Sequence, residues 1–132
     1  MARHANHHPT ERELDILQVL WDREPATLGE ICDELCRDRE VAKTTVATLL
    51  KLMEDKRLVE RTPDRKWQAA VSRGATSTKI VKSLLDKLFD GSASRLVAHV
   101  VKAGALSASD IDDLKNLLEA AETKQNAKRA KS

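Results

Sequence analysis

Apolar residues recur at three- and four-residue steps in three successive segments of the chain, and two short extended runs follow them. Leu14, Leu17 and Trp21, with Ile16 and Leu20 beside them, form the first stripe. Leu28, Ile31 and Leu35 form the second, and Val46, Leu49, Leu50 and Met53 the third. This spacing gathers each set on one face of an α-helix, which predicts three helices with apolar backs. Two of them declare their starts. Thr10-Glu11-Arg12-Glu13 and Thr27-Leu28-Gly29-Glu30 each fit a capping box, in which a threonine hydroxyl and a glutamate carboxylate satisfy one another's backbone N–H groups. The first helix should end near Asp22, with Pro25-Ala26-Thr27 as a short extended segment and Arg37-Asp38-Arg39-Glu40 as the turn before the third helix.

The third helix, read from Val41 onward, has an unusual front. Opposite its apolar stripe lie Thr44, Thr48 and Lys51, with Val41, Ala47 and Asp55 at the margins. A helix approaches base edges in the major groove only if its outer face is slim, and threonine offers a hydroxyl and a methyl there. Lys43 and Lys51 suit phosphates. The other reading of this face is a merely solvated surface, and the next segment weighs against it. Leu58-Val59-Glu60-Arg61 and Lys66-Trp67-Gln68-Ala69-Ala70-Val71 flank Thr62-Pro63-Asp64-Arg65, which predicts a hairpin with Arg61, Arg65 and Lys66 near its tip. Such a loop can reach a DNA backbone or minor groove. Trp67 is expected to pack on the helix behind it rather than stack on a base. Helix, helix, helix, hairpin is the order of a winged helix-turn-helix.

Beyond Val71 the pattern changes. Ser72-Arg73-Gly74-Ala75-Thr76-Ser77 reads as a linker, and a helix follows with Ile80, Val81, Leu84, Leu85, Leu88 and Phe89 as its apolar set. Gly91-Ser92 should end it, a short helix with Leu96, Val97, Val100 and Val101 should follow, and Gly104 should break the chain again. Ser107-Ala108-Ser109-Asp110 then caps a last helix carrying Ile111, Leu114, Leu117, Leu118 and Ala121. Three amphipathic helices bury little by themselves, so their apolar faces are expected to meet a second copy; packing back on the winged domain is the alternative. The expected interface residues are Ile80, Val81, Leu84, Leu85, Leu88, Leu96, Val100, Ile111, Leu114 and Leu118.

Charge alters the picture by its distribution. The chain has a net charge of only +2. Segment 11–40 nonetheless holds ten acids against Arg12, Arg23, Arg37 and Arg39, whereas segment 41–73 holds eight basic residues against four acids. That reversal steers one face toward phosphate. Single-stranded nucleic acid fits less well, because stacking needs exposed aromatics and the chain has only Trp21, Trp67 and Phe89. No apolar run approaches a membrane span and Met1–Pro9 has no signal-peptide core, so a cytoplasmic protein is expected.

Candidate chemistry is sparse. Cys32 and Cys36 stand four apart on the second helix, too few ligands for a zinc site and poorly placed for a disulfide, and are read as small core residues in a reducing compartment. His4, His7 and His8 sit in an arm expected to be disordered. His99, on an apolar helix, is read as a packed core or interface residue rather than a base. With no nucleophile-base-acid set and no phosphate-cradling glycine loop, an enzyme, a cofactor and a small-molecule substrate are not expected.

Four blocks in order carry a family resemblance: Pro9-Thr-Glu-Arg-Glu-Leu-Asp-Ile-Leu-Gln-Val-Leu-Trp21, Lys43-Thr-Thr-Val-Ala-Thr-Leu-Leu-Lys-Leu52, Leu88-Phe-Asp-Gly-Ser92 and Leu106-Ser-Ala-Ser-Asp-Ile-Asp-Asp-Leu114. Over about residues 9–122 the chain resembles the penicillinase and methicillin-resistance repressors, the BlaI/MecI family. The resemblance implies a dimeric winged-helix repressor, and it places Thr45 beside Thr44 and Thr48 at recognition-helix positions facing the operator. β-Lactam-responsive members share a cleaved Asn-Phe bond, where this chain reads Ala98-His99-Val100-Val101. The paired Cys-x-Cys motifs of copper-responsive relatives have no counterpart in its tail.

The expected fold is therefore mostly α with a small β-hairpin, a winged helix-turn-helix followed by a helical dimerisation domain. Its expected divisions are a disordered N-terminal arm (1–9), a winged-helix DNA-binding domain (10–73), a helical dimerisation domain (74–123) and a charged, frayed tail (124–132). The expected function is that of a homodimeric repressor on an inverted repeat in double-stranded DNA. Lys43, Thr44, Thr45, Thr48, Lys51, Arg61, Arg65 and Lys66 are its expected DNA contacts. Two rivals stay open: a helical protein-interaction module, and a thiol- or metal-responsive sensor using Cys32 and Cys36.

Overall fold

The computed structural model describes residues 8–37 and 39–131. Most of the expected N-terminal arm, with His4 and His7, lies outside the described residues. Thr10 caps α1 (Glu11–Asp22) and Thr27 caps α2 (Leu28–Leu35), each through a complete capping box with the glutamate three residues on. Both starts thus follow the spacing read from the sequence. The third helix, α3 (Lys43–Asp55), begins later than expected. Ala42 holds an extended φ and ψ and offers no side-chain cap, and Val41 leaves the helix to pack, half-buried, against the core.

The three helices close around side chains excluded from water. Ile16, Leu17, Leu20, Ile31, Val46, Leu50 and Met53 are all 0% exposed, so each expected stripe contributes to one core. Leu28, Leu35 and Leu49 pack at its edge. At its far end α3 stops in a Schellman arrangement. The Arg57 N–H donates to the Glu54 carbonyl at 3.0 Å and the Leu58 N–H to the Met53 carbonyl at 2.8 Å. Arg57 takes the left-handed conformation this requires, at φ 63°.

The chain then returns as β1 (Val59–Arg61) and β2 (Trp67–Ala69), antiparallel, with Val59 opposite Ala69 and Arg61 opposite Trp67. Ala26 pairs on the other edge of β2, exchanging hydrogen bonds of 2.9 and 2.7 Å with Trp67. Trp67 is 5% exposed and belongs to the core, as its expected packing role requires.

The stretch Ser72–Ser77, expected as a linker, is instead the start of a helix, α4 (Arg73–Leu88). Three contacts organise it. The Ser72 hydroxyl accepts from the Ala75 N–H at 3.1 Å, the buried Thr76 donates to the Ser72 carbonyl at 2.8 Å, and Arg73 pairs with Asp22 at 3.0 Å. Trp21 adds a bond from its ring N–H to the Val71 carbonyl at 2.9 Å. Small polar residues read as flexible here because their caps and long-range partners leave no mark on local composition.

The chain divides into two compact units, the first ending at Ser83 and the second starting at Leu84, so the division falls within α4. The second unit contains the end of α4, then α5 (Ala93–Lys102) and α6 (Ala108–Lys131). Ser92 caps α5, and Asp90 and Gly91 supply the positive-φ turn before it. Ser107 and Asp110 cap α6 reciprocally, at 3.0 and 3.1 Å. Its backbone bond holds the Asp110 carboxyl below the usual aspartate range. The tail expected to fray is helical through Lys131. Its Ala, Gln, Lys and Arg residues are strong helix formers, and its basic end complements the carbonyl end of the helix dipole.

Candidate nucleic-acid interface

The interface is built on α3, whose buried and exposed residues alternate with the helical period. With Val46, Leu50 and Met53 pinned in the core, Lys43, Thr44, Thr48 and Lys51 are turned out to solvent. The Thr48 hydroxyl donates to the Thr44 carbonyl at 2.9 Å, which leaves its oxygen as an acceptor on an exposed side chain. Thr45, placed by the family resemblance alone, is half-buried and sits on the α1 side of the helix.

The hairpin tip is held by Thr62. Its N–H donates to the Lys66 carbonyl at 2.9 Å, its hydroxyl oxygen accepts from the Lys66 N–H at 3.0 Å, and its carbonyl accepts from the Arg65 N–H at 3.1 Å. The same hydroxyl donates to Asp64 and holds that carboxyl below its usual range. This network fixes Arg65 at φ 63° with its side chain exposed at the tip. The other two basic residues of the wing are partly engaged. The Arg61 guanidinium lies 4.8 Å from the centre of the Trp67 ring, a cation–π contact that follows from their cross-strand pairing, and Lys66 stands 3.9 Å from Asp64.

Two features of this surface escaped the sequence reading. Arg57, exposed in the turn between α3 and β1, presents a further cation. Its signal was only the basic pair Lys56-Arg57, and the two residues part company: Lys56 turns back to bond both carboxylate oxygens of buried Glu13, at 3.2 and 2.9 Å. Leu52, 49% exposed one turn after Thr48, adds an apolar side chain that periodicity does not flag.

The cysteines part company too. Cys32 is buried, as expected, and burial pushes its thiol above the ordinary range. Cys36, expected in the core, is exposed at the C-cap of α2, where the helix ends and turns its last side chain outward; its thiol reaches the Val41 carbonyl at 3.5 Å. Among the described residues no group of three His, Cys, Asp or Glu side chains could hold a metal ion, and no helix is long and apolar enough to cross a membrane.

In the second unit no described residue is fully buried. Of the expected interface residues, Ile80 and Val81 lie on the part of α4 that belongs to the first unit; Ile80, Leu84 and Leu85 on α4, Leu96 and Val100 on α5 and Leu114 on α6 are half-buried. Val81, Leu88, Ile111 and Leu118 are exposed, joined by Val97, Val101 and Leu117, which the expected interface set omits. His99 is exposed and stands edge-on to Phe89, with ring centres 5.8 Å apart.

Comparison with known proteins places these features in a lineage. The family model described as penicillinase repressor matches residues 9–120. The methicillin resistance regulatory protein MecI of Mammaliicoccus sciuri is 25% identical over 109 residues, covering 80% of this chain and 89% of that protein. The penicillinase repressor of Staphylococcus aureus is 24% identical over 109 residues, covering 80% and 86%.

Proposed function

The chain belongs to the penicillinase repressor family, a family of transcriptional repressors rather than enzymes, and from that premise we propose that it works in the cytoplasm as a homodimer on an inverted-repeat operator. One observation carries this reading: Thr44, Thr48, Lys43 and Lys51 lie exposed on a helix whose opposite face is locked into the core. In this reading α3 enters the major groove, where Thr44 and Thr48 meet base edges and the half-buried Thr45, on the α1 side, stands behind them. Lys43, Lys51, Arg61, Arg65 and Lys66 meet phosphates. Arg57 joins the phosphate contacts.

Residues 10–73 read the DNA and residues 74–123 dimerise. The exposed apolar residues of α4, α5 and α6 support the second assignment, because a surface that apolar is costly in water until another surface covers it. A twofold dimer presents two α3 helices to two half-sites about one helical turn, or a multiple of it, apart. Repression follows from occlusion of the polymerase.

Selection of bound duplexes from a random pool tests this directly. Enrichment of an inverted repeat is the expected outcome. Enrichment of no sequence would leave α3 as a solvated face and favour a protein-interaction module.

A further inference from the structure

The winged unit holds a cavity that DNA contact does not explain. It opens between α1, the end of α2 and the start of α3, encloses about 180 Å³, and has Ile16, Leu35, Val41 and Leu49 as its apolar lining. Its polar lining is balanced and only partly paired within itself. Asp15 and Arg39 neutralise one another at 2.6 Å. Arg12 and Glu40 line the same cavity, and among the described residues neither has an ion-pair partner. Thr45 lines the cavity too, and its hydroxyl makes no hydrogen bond among the described residues. One cation and one anion, further apart than a salt bridge, therefore border a pocket of mixed apolar and polar lining together with Thr45.

The complement of that arrangement is a zwitterion with an apolar body. A carboxylate satisfies Arg12, an ammonium satisfies Glu40, and a branched side chain covers the aliphatic lining. The size agrees, since a cavity of roughly 150 Å³ admits a molecule as large as benzene. A neutral hydrocarbon would use neither charge at the rim, and a simple anion would face the like charge of Glu40.

We propose that this cavity binds a free apolar α-amino acid, and that occupancy alters the start of α3. Ala42 and Thr45 line the cavity, and Thr44 between them faces outward, so a filled pocket bears on the segment that positions Thr44 and Thr48. This second half rests on α3 being the DNA-reading helix.

The test uses the full chain and L-leucine as the probe. Carbon–proton methyl spectra should show saturable shifts at Ile16, Leu35, Val41 and Leu49, with a dissociation constant on the order of a millimolar, as suits a ligand of about nine heavy atoms. 4-Methylpentanoate, which lacks the ammonium, and isopentylamine, which lacks the carboxylate, should each bind at least about tenfold more weakly. Arg12→Gln and Glu40→Gln should weaken leucine by a similar factor; both side chains are exposed, and an unchanged urea midpoint verifies the fold. Saturating leucine should shift affinity for the selected duplex about fivefold in the parent chain and not in Arg12→Gln.

Absence of saturable shifts, or binding of either analogue as tight as that of leucine, overturns the site. Unchanged duplex affinity at saturating leucine overturns the coupling. A chain that binds leucine but no duplex under any condition sinks the DNA reading together with the coupling, while the methyl titration still decides the site.

Discussion

The bond between Glu13 and Lys56 joins the start of α1 to the end of α3, and removing one partner at a time should give unequal results. Glu13 has a side chain only 2% exposed, whereas that of Lys56 is 26% exposed. Glu13 also accepts from the Thr10 N–H at 2.9 Å, so it serves as capping residue and as ion-pair partner at once. Lys56→Met leaves that carboxylate buried without its cation. Loss of one partner of a buried pair costs about 3–5 kcal/mol, and the partial exposure of Lys56 argues for the lower end, about 3 kcal/mol. Glu13→Gln behaves differently. The amide oxygen still accepts from Thr10, and the ammonium of Lys56 can turn toward water, so the loss should be about 1–2 kcal/mol. The double variant Glu13→Gln/Lys56→Met should be more stable than Lys56→Met alone, with a coupling of about 2 kcal/mol, because the uncompensated charge is gone. Urea unfolding followed by the fluorescence of Trp21 and Trp67 reads this out, since both rings lie in the winged unit. Strictly additive losses, or a Lys56→Met midpoint above that of Glu13→Gln, would refute the reasoning.

Other consequences are equally direct. Lys51→Ala and Arg57→Gly should each lower the slope of log K against log salt for duplex binding by about 0.9, and Arg57→Gly should do so without loss of stability, because glycine relieves the left-handed backbone; an unchanged slope removes that residue from the phosphate contacts. The parent chain at micromolar concentration should sediment at twice its 14.7 kDa mass, and Leu118→Asp, at a residue 64% exposed, should sediment as a monomer. The Thr27 N–H, then the Thr27 hydroxyl geometry, hold the Glu30 carboxyl below its ordinary value. Its contribution to stability is therefore present above the unfolded-state value and lost as pH falls through the lower folded one, so Glu30→Gln should flatten the acid limb of the stability profile. Equal limbs in the two proteins would show that the capping carboxylate contributes nothing as an anion.

What could be read from the sequence is what local spacing determines. The capping boxes at Thr10 and Thr27 combine a hydroxyl and a carboxylate at a fixed offset, and both formed. The buried stripe of α3 and the outward placement of Thr44, Thr48 and Lys51 follow from the helical period alone. Long-range partners were not legible. Ser72–Ser77 reads as a linker until Trp21 and Asp22, some fifty residues upstream, are seen to hold Val71 and Arg73. Nothing local distinguishes Lys56, drawn back to Glu13, from its exposed neighbour Arg57. Cys36 was placed in the core by counting four residues from Cys32, but α2 ends at Leu35 and the period no longer applies.

The two units differ in what can hold them together, and this bears on how the protein is regulated. The winged unit contains all twelve residues of the described apolar core, from Ile16 to Trp67, and has its own reason to be folded. The second unit has none of them, yet exposes Leu88, Leu117 and Leu118 at 69, 65 and 64%. Helices without a buried face draw little stability from propensity alone. In the proposed dimer, ordering of the second unit and association are therefore one event, and its stability depends on protein concentration. DNA affinity inherits that dependence: two linked α3 helices gain the effective concentration of a bivalent ligand, and a monomer with an intact α3 does not. A signal that loosened α4, α5 or α6 would thus release the operator without touching Thr44 or Thr48. A ligand in the cavity beside Thr45 would act at the other end, on the reading helix itself.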